Sequence, residues 1–560
     1  MLSDFKAQLI SSIEESIPQL SPEQSQAHPP AVTLEVPSDK RFGDYSCTVA
    51  MRLAGLLKKN PLDIAQAIKE NLLSQNKLHS LQDKIKSIEV VKPGFINFYL
   101  TPRAFWDVLS QVAAEGKDYG RSQLGQGRKV QIEFVSANPT GPLSVAHARQ
   151  AAVGDALGNI LSFLGYDAKK EYYVNDEGNQ INILGRSLQL RGLEILGEQV
   201  EFPEDCYQGD YIRDLAAIFF RERGIQNPQQ LKEIELPAFS RFAVDHLLAI
   251  IKKELDDFGV HFDVWSHQSE IATSGNIEKV IAELRQKGFI YDHEGAVWFK
   301  STALGDDKDR VVKKSDGNFT YLTPDIVYHK NKFERGFFKV INIWGPDHHG
   351  YIPRIQAAVE ALGNDRKALD VLIVQLATIF RNGKPLSMST RRGQYISLRE
   401  VLDEVGRDAA RFFFLMRHIE AHLEFDLELA KKETPENPVY YIQYAHARIH
   451  SILAVAEQTQ LRPRQSGFEL LKEDEELALL KKIGQFSEAL AACHDQLDPY
   501  PLTSYLLELA TGFHKFYDRH RVADTAQPEL SSQRLSLINA ARVVLSNGLG
   551  LLGVQAPQKM

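Results

Sequence analysis

Cysteine is scarce in this chain, and long apolar runs are missing. Only three cysteines occur in 560 residues, Cys47, Cys206 and Cys493, and their spacing matches no metal-binding pattern. A disulfide framework or zinc ribbon is therefore not expected, and the cysteine usage is typical of a reducing compartment, here predicted to be the cytoplasm. No apolar stretch reaches the ~20 residues that a membrane-spanning helix needs, so no membrane attachment is predicted.

The chain also has no large charge of either sign. Its net charge is −8, from 65 Lys and Arg against 73 Asp and Glu, which argues against indiscriminate nucleic-acid binding but allows a local basic face. The amino terminus reads as an amphipathic helix with acidic residues, which is not the pattern of a signal or transit peptide. A length of 560 residues predicts two to four domains.

Three regions with different patterns follow one another. Residues 1–120 combine helical periodicity with alternating strands, which predicts a small α+β domain. Residues 121–437 alternate strands and helices, which predicts a Rossmann-like, doubly wound parallel sheet with a helical insertion at about 200–290. Residues 438–560 are long amphipathic helices and predict an antiparallel bundle.

The segment KVQIEFVSANPTGPLSVAHARQ, residues 129–150, predicts a strand, a tight turn and a helix. Val130–Val135 has strand length, Pro142 suits the first helical position, and Gly165 suits the helix end. This arrangement presents backbone N–H groups to a phosphate, although many α/β domains have it and bind nothing there.

Polar residues follow two other predicted strands. Asn175 and Asp176 come after Glu171–Val174, where they suit either a ligand site or an Asx turn that caps the next helix. Gly345 and Asp347 come after an apolar strand, and a carboxylate there suits the hydroxyls of a ribose. The adjacent histidines 348 and 349 point different ways with no third ligand near in sequence, so no zinc site is expected.

Tyr321 and Asp325 lie four residues apart at a predicted strand-to-helix corner. A guanidinium needs a carboxylate in fork geometry and a planar or aromatic wall, and this pair can supply both. The alternative is that Asp325 caps the helix.

The segment Glu133–Arg149 resembles the signature of class I aminoacyl-tRNA synthetases, and SANPTGPL resembles the version found in arginyl-tRNA synthetases. The family tetrapeptide His-x-Gly-His is matched by SVAH, residues 144–147, so serine and alanine replace the first histidine and the glycine. Further similar segments are YYVND-x-G-x-Q, FGDYSCTVAMRLA, PGFINFYL and the stretch from YYIQYAHARIHSIL to GVQAPQKM. The resemblance implies a tRNA-contacting amino-terminal domain, a class I catalytic domain and an anticodon-binding bundle.

The second class I signature, Lys-Met-Ser-Lys, is matched by SMST, residues 387–390, so both lysines are absent. Attack at the α-phosphorus of ATP builds charge that a basic loop neutralises. Arg391, Arg392, Lys384 and also Lys129 are candidates for that charge.

The resemblance implies ligation of L-arginine to tRNA(Arg) through an arginyl-adenylate, with ATP and Mg²⁺ as the substrate complex. It implies no membrane partner and no protein-bound metal or organic cofactor, and a monomer is the default because no appended dimerisation segment is visible. Arginine contacts are predicted at Glu133, Asn138, Tyr321 and Asp325, and ATP contacts at Ser136, Pro142, Leu143, Ala146, His147, Gly345, Asp347, His348, Met388 and Ser389. Candidate catalytic residues are Ser144, His147, Lys384, Ser389, Arg391 and Arg392, and candidate tRNA contacts are Phe42, Tyr45, Tyr444, Arg448, Tyr517 and Arg521.

Ser144 leaves a second function open, because a serine hydroxyl cannot become cationic and reaches less far than imidazole. The chain is then either an active enzyme or a weakened or inactive tRNA-binding paralogue. A class I synthetase for another amino acid is a third possibility. The predicted guanidinium pocket favours the active arginine enzyme, since an RNA binder has no physical need for it.

Overall fold

The computed structural model describes residues 2–17, 30–37, 39–74, 78, 81–386 and 396–560. It confirms the predicted fold class, with an amino-terminal α+β region, a central parallel sheet and a carboxy-terminal helical bundle. Four candidate residues, Met388, Ser389, Arg391 and Arg392, lie outside the described residues.

The amino-terminal region is a four-stranded antiparallel sheet with helices packed on it. Its elements are α1 (Leu2–Ser16), β1 (Leu34–Glu35), β2 (Tyr45–Cys47), α2 (Val49–Leu57), α3 (Pro61–Ser74), β3 (Ile85–Val91), β4 (Phe95–Leu100) and α4 (Arg103–Glu115). The strands pair in the order β1-β2-β4-β3, and β3 and β4 form the hairpin that the alternating sequence predicts.

The central region is built on a five-stranded sheet. Its first half contains β5 (Lys129–Glu133), α5 (Val145–Phe163), β6 (Asp167–Val174), α6 (Asn179–Ile195), α7 (Asp210–Arg223), α8 (Pro228–Lys232), α9 (Leu236–Asp257), β7 (Val264–His267), α10 (Gln268–Ile271) and α11 (Ser274–Gln286). Its second half contains β8 (Ile290–His293), β9 (Ala296–Phe299), β10 (Arg310–Lys313), α12 (Leu322–Glu334), β11 (Lys339–Trp344), α13 (Ile352–Ala361), β12 (Leu369–Ile373), β13 (Ala377–Arg381), β14 (Lys384–Pro385), α14 (Leu398–Val405), α15 (Arg407–Leu415), β15 (Leu423–Asp426) and α16 (Leu427–Lys431).

The central strands run parallel in the order β12-β11-β5-β6-β7. From β5 the chain proceeds to β6 and β7, and it later returns to the other side of β5 as β11 and β12. The strand order therefore reverses between β5 and β11. Open α/β sheets bind ligands at such a point, beyond the carboxyl ends of the strands.

One strand lies within the stretch predicted as a helical insertion. β7 pairs in parallel with β6 and extends the central sheet, whereas α7 and α9 pack with α6 around a separate apolar cluster. The purely helical interpretation of residues 200–290 is therefore wrong at Val264–His267. In a four-residue edge strand, apolar and polar residues alternate over too short a stretch to be recognised in a sequence between two helices.

Helix α5 begins later than predicted. Its N-cap is Ser144, a residue type favoured there, and Pro142 lies two residues before it, so the placement of Pro142 at the first helical position is wrong. The Leu143 N–H donates to Glu254 Oε2 at 3.3 Å, and the Leu143 carbonyl accepts from the Leu398 N–H at 2.8 Å. These bonds keep the chain extended before the helix and turn Leu143 into the core.

Gly154 allows α5 to lie close to the end of β5. A Cβ at this position would be 2.2 Å from the ring of Phe134, which no real contact allows. The helix can therefore approach the sheet only with glycine here, and this packing fixes where the first turn of α5 lies relative to β5.

The carboxy-terminal bundle contains α17 (Pro438–Gln458), α18 (Asp474–Gly484), α19 (Phe486–Gln496), α20 (Tyr500–Arg519) and α21 (Pro528–Leu551). One apolar core runs from the amino-terminal region through the central sheet into this bundle. Across the described ranges, no helix is both long and apolar enough to cross a membrane.

Candidate active site

A cavity of about 540 Å³ opens where the strand order of the central sheet reverses. Its walls come from the carboxyl ends of β5, β6 and β11 and from the first turns of α5 and α12. Ten predicted arginine and ATP contacts line it: Glu133, Ser136, Asn138, Ala146, His147, Tyr321, Asp325, Gly345, Asp347 and His348. The structure therefore brings together residues that are up to 215 positions apart (348 − 133).

The turn after β5 has an unusual backbone. Val135 and Ser136 have φ angles of 66° and 40°, a region that costs energy for a β-branched residue such as valine. Ser136 Oγ donates to Glu133 Oε1 at 2.9 Å and accepts the Tyr173 N–H at 3.1 Å. These two bonds hold the turn, so the Ser136 hydroxyl is already used in building the wall of the cavity.

His147 is a neutral hydrogen-bond donor at the start of α5. The Ser144 backbone N–H donates to His147 Nδ1 at 3.2 Å, which places the ring proton on Nε2. Burial lowers the pKa of His147 to about 4, so the imidazole is uncharged at pH 7. The Nε2–H group and the positive end of the helix dipole together suit an anionic ligand.

Ser144 lies behind His147 and does not line the cavity. Its side chain is 8% exposed, and its Oγ lies 3.2 Å from His147 Nδ1. The prediction that Ser144 itself is catalytic therefore needs correction. The hydroxyl caps α5 and orients the imidazole, which makes Ser144 a positioning residue.

Replacing Ser144 by alanine is expected to lower kcat for ATP–pyrophosphate exchange about three- to tenfold. The change removes one contact to Nδ1 and a helix cap of about 1 kcal/mol, but the Ser144 N–H bond remains. We expect KM for arginine to stay within about twofold. A variant as slow as one without His147 would contradict the positioning role.

Asp325 lines the cavity with a carboxylate whose charged form is disfavoured by burial. It lies in the first turn of α12, after the N-cap residue Tyr321, so the capping alternative is wrong. Tyr351 OH donates to Asp325 Oδ2 at 2.6 Å, and within the described residues no cation forms an ion pair with this carboxylate. Burial, reinforced by the charge of Glu133, raises the pKa of Asp325 to about 6 and outweighs the Tyr351 hydrogen bond and the charges of Lys332 and Arg354, which lower it. The site therefore favours a cationic ligand.

Glu133 differs from Asp325 because it already has a cationic partner. It forms an ion pair with the buried Lys332 ammonium and accepts a hydrogen bond from Ser136. Its charge is therefore balanced within the protein, whereas Asp325 has no ion-pair partner among the described residues.

The other two predicted arginine contacts lie nearer the mouth. Tyr321 lines the cavity but is 73% exposed, so its ring borders the opening. Asn138 donates from Nδ2 to Gln180 Oε1 at 2.6 Å, which fixes its amide orientation.

Beyond the end of β11 the chain forms a short 3₁₀ helix, Pro346–Tyr351. Gly345 precedes this helix, and Asp347 and His348 lie in it. Asp347 and His348 are exposed at the cavity edge, where a carboxylate can reach ribose hydroxyls. In the part of the chain that the structure describes, no group of three or more His, Cys, Asp and Glu could hold a metal ion. The expectation of no protein-bound metal stays a prediction.

The two residues after β6 separate into different roles. Asn175 lines the cavity. Asp176 accepts from the N–H and Oγ–H of Ser269 at 3.0 and 2.7 Å and lies 3.0 Å from His267 Nδ1. Asp176 therefore joins β6 to the β7–α10 corner, and the cap of α6 is Gly178.

Two lysines predicted to neutralise the triphosphate, Lys384 and Lys129, lie outside the cavity. Lys384 is exposed in β14 and does not line the cavity, but its strand directly precedes the second signature. Lys129 begins β5, at the amino end of the sheet, so the suggestion that it neutralises the triphosphate is wrong.

Four predicted tRNA contacts line one groove of about 1010 Å³ on the bundle: Tyr444, Arg448, Tyr517 and Arg521. The Arg448 guanidinium lies 4.6 Å from the ring centroid of Tyr517 and 5.6 Å from that of Tyr444. Arg448 Nη2 also donates to Tyr517 OH at 3.2 Å. Such alternation of planar cations and aromatic rings suits unpaired bases.

The predicted RNA contact of Tyr45 is wrong. Tyr45 is 2% exposed, stacks with Phe5 and donates to Glu488 Oε1 of the bundle at 3.4 Å. It therefore joins the amino-terminal region to the bundle, while Phe42, 45% exposed, stays accessible.

Sequence reasoning missed four residues of the hydrogen-bond network around Glu133 and Asp325, namely His329, Lys332, Asn342 and Tyr351. Two signals pointed to them. Asn342 is a polar residue inside the apolar run VINIW, and Lys332 lies seven residues after Asp325, on the same face of α12.

Comparisons with known proteins match all three regions of the chain. Family models match the arginyl tRNA synthetase N-terminal domain over residues 7–100, the class I (R) tRNA synthetase catalytic domain over 108–418, and the DALR anticodon-binding domain over 442–560. The arginine–tRNA ligase of Geobacter sp. strain M21 is 46% identical over 533 residues, 95% of each chain. The arginine–tRNA ligase of Bacillus subtilis strain 168 is 44% identical over 532 residues, again 95% of each chain.

A solved structure supports the same fold. The arginyl-tRNA synthetase of Thermus thermophilus superposes with a TM-score of 0.75, covering 99% of this chain and 100% of that one at 21% identity.

Proposed function

This chain belongs to the class I arginyl-tRNA synthetases, and from that premise we propose how its cavity ligates L-arginine to tRNA(Arg). A carboxylate oxygen of arginine attacks the α-phosphorus of ATP, the bond to the bridging oxygen breaks, and pyrophosphate leaves. A hydroxyl of the terminal tRNA ribose then attacks the arginyl carbonyl, AMP leaves and the hydroxyl proton is released. No enzyme nucleophile is needed, so the protein positions the reactants and stabilises charge.

The observation that carries this assignment is Asp325. Its carboxylate faces the cavity with Tyr351 as a neutral partner, and burial raises its pKa to about 6, so binding a guanidinium compensates an otherwise costly charge. Glu133, Asn138 and Tyr321 complete the contacts to arginine. An RNA-binding paralogue has no need for such a carboxylate.

ATP occupies the part of the cavity formed by the start of α5 and the end of β11. His147 Nε2–H and the start of α5 bind phosphate oxygens near Ala146, and Gly345, Asp347 and His348 hold the adenosine ribose. Mg²⁺ enters with ATP and belongs to the substrate. The remaining positive charge comes from Arg391 and Arg392, which lie outside the described residues, with Lys384 at the base of that segment.

The bundle groove takes the anticodon loop. Replacing Arg521, whose side chain is 76% exposed at the groove edge, by alanine is expected to raise KM for tRNA about three- to tenfold. The slope of log KM against log salt should fall by about one, as for a lost phosphate contact. Arg285→Ala on α11, which breaks an exposed pair with Asp292, is the matched control. An unchanged salt slope would place the RNA elsewhere.

The test of the function is arginine-dependent ATP–pyrophosphate exchange, measured with and without tRNA(Arg). The resemblance to arginyl-tRNA synthetases leads us to expect exchange only when tRNA is bound. Exchange with another amino acid, or tight tRNA binding without any exchange, would refute the assignment and support the alternatives of a different synthetase or an inactive paralogue.

We also place the enzyme in the cytoplasm as a monomer of 63.1 kDa. All three cysteines are buried free thiols, which suits a reducing compartment. Light scattering of the purified protein measures the mass, and a value near twice 63.1 kDa would contradict the monomer.

A further inference from the structure

A chain of buried hydrogen bonds runs from the backbone carbonyl of Asp325 to the carboxylate of Glu133. His329 Nδ1–H donates to the Asp325 carbonyl at 2.8 Å, and His329 Nε2 accepts from Asn342 Nδ2 at 2.8 Å. Asn342 Oδ1 accepts from Lys332 Nζ at 2.9 Å, and the same ammonium donates to Glu133 Oε2. Every donor in this network faces an acceptor. The network therefore fixes the tautomer of His329 and the amide orientation of Asn342.

The network is buried from end to end. Lys332 and Asn342 have no exposed surface, and the Lys332 ammonium also lies 4.3 Å from the ring centroid of Tyr328. A buried lysine is costly unless a counter-ion and hydrogen bonds compensate it, and here Glu133 and Asn342 do so.

Arg354 on α13 lies near Asp325 and lowers its pKa together with Lys332, but neither cation forms an ion pair with this carboxylate. The other charged groups around the cluster have partners of their own. Glu133 on β5 lies beside Glu171 on β6 in register, and each has one cation: Lys332 of α12 pairs with Glu133, and Arg335, which follows α12, pairs with Glu171. Tyr328 OH donates to Glu171 at 2.9 Å. Two tyrosines and a histidine also face this cluster: Tyr173, Tyr328 and His329. Asp325 differs from both glutamates, because no such cation from the described residues pairs with it.

We propose that Lys332 is a positioning residue for arginine recognition. It supplies the counter-charge to Glu133 and anchors it to Asn342, and this leaves Asp325 as the carboxylate that pairs with the guanidinium. The inference rests on the proposed arginine site. Without Lys332, neither Glu133 nor Asp325 would have an ion-pair partner among the described residues, and two such carboxylates repel one another and titrate as a coupled pair.

The test replaces Lys332 by methionine, which keeps chain length and removes the charge. We expect KM for arginine at pH 7 to rise roughly tenfold or more, with KM for ATP within about twofold. The plot of kcat/KM for arginine against pH should show two ionisations where the wild type shows one. Lys330→Met is the matched control, because Lys330 on the same helix pairs with Glu283 and Glu334 and does not line the cavity; it should behave as wild type.

Two outcomes would contradict the inference. One is a wild-type KM for arginine and a single ionisation in the methionine variant. The other is a parallel rise of KM for arginine and ATP with a lower Tm, which a merely structural lysine would produce. Both comparisons require wild-type enzyme that exchanges pyrophosphate, so a wild type without exchange refutes the proposed function, whereas a normal K332M refutes only the role of Lys332.

The double variant K332M/E133Q provides a second readout if the single variant does not fold. A neutral pair replaces the ion pair, a change that buried sites often tolerate. We expect this variant to fold and to return to one ionisation in the arginine profile, because Asp325 is again the single titrating carboxylate at this end of the cavity. Two ionisations in the double variant would contradict the inference.

Discussion

Replacing Asp325 by asparagine is expected to lower kcat/KM for arginine about 10³-fold, with KM for ATP within about twofold. Asparagine keeps the shape and can still accept the Tyr351 hydrogen bond, but it supplies neither the charge nor the second acceptor oxygen that a guanidinium needs. Pyrophosphate exchange at saturating tRNA and ATP, with arginine varied, measures the effect. A loss of less than tenfold would show that another group carries the guanidinium.

The matched control is Asp370→Asn on β12, which removes a carboxylate paired with Lys339 and not part of the cavity. It should leave both KM values within about twofold of wild type. A similar loss in both variants would indicate damage to the sheet rather than loss of recognition.

The same carboxylate predicts how arginine affinity depends on pH. Burial raises the pKa of Asp325 to about 6 in the free protein, so the group is protonated below that pH and must lose its proton to pair with arginine. Affinity therefore falls as pH falls, and Kd at pH 5 should be about tenfold higher than at pH 7. Calorimetry in buffers of different ionisation enthalpy measures this, and near pH 6 binding should release about half a proton. A flat profile would place the guanidinium away from Asp325.

Replacing His147 by alanine is expected to lower kcat about 10²–10³-fold, because it removes a donor aimed at the charge that develops on phosphate. KM for ATP should rise much less, since the start of α5 still binds the ground state. Rapid-quench measurement of adenylate formation with bound tRNA separates this step from transfer to tRNA.

A separate experiment tests the proposal that His147 acts as a neutral hydrogen-bond donor. Burial lowers its pKa to about 4, so it does not titrate between pH 5.5 and 8.5, and His147→Asn, which retains an N–H group, should recover part of the lost rate. His261→Ala, an exposed histidine beside Asp256, serves as the control. A bell-shaped kcat profile that loses one limb in H147A would show a cationic imidazole instead.

The replaced signature histidine has a physical explanation in this structure. Ser144 caps α5 and contacts His147 Nδ1, so the proposed phosphate donor is a single oriented imidazole. The arginines that follow Ser389 remain the predicted source of positive charge. The hypothesis of an active enzyme therefore depends on His147, the helix terminus and that basic segment together.

Much of the fold followed from short-range patterns. Apolar runs of strand length predicted β5 and β11, helical periodicity predicted the bundle, and turn residues predicted where the strands end at the cavity. These features depend on neighbours within a few residues, so sequence reasoning reaches them. The family motifs pointed to Glu133 and Asp347 at strand ends and to His147 and Asp325 in the first turns of α5 and α12.

Long-range contacts decided what the sequence order could not. Lys332 pairs with Glu133, 199 residues away, and Tyr45 is buried against Glu488, 443 residues away. Ser144 was placed behind His147 by the point at which α5 begins, and β7 joined the sheet only through pairing with β6. A residue's charge partner and its exposure are set by what packs on it, and that is a property of the folded chain. The sequence determined the residue types, and the tertiary structure decided which of the two carboxylates, Glu133 or Asp325, pairs with a lysine.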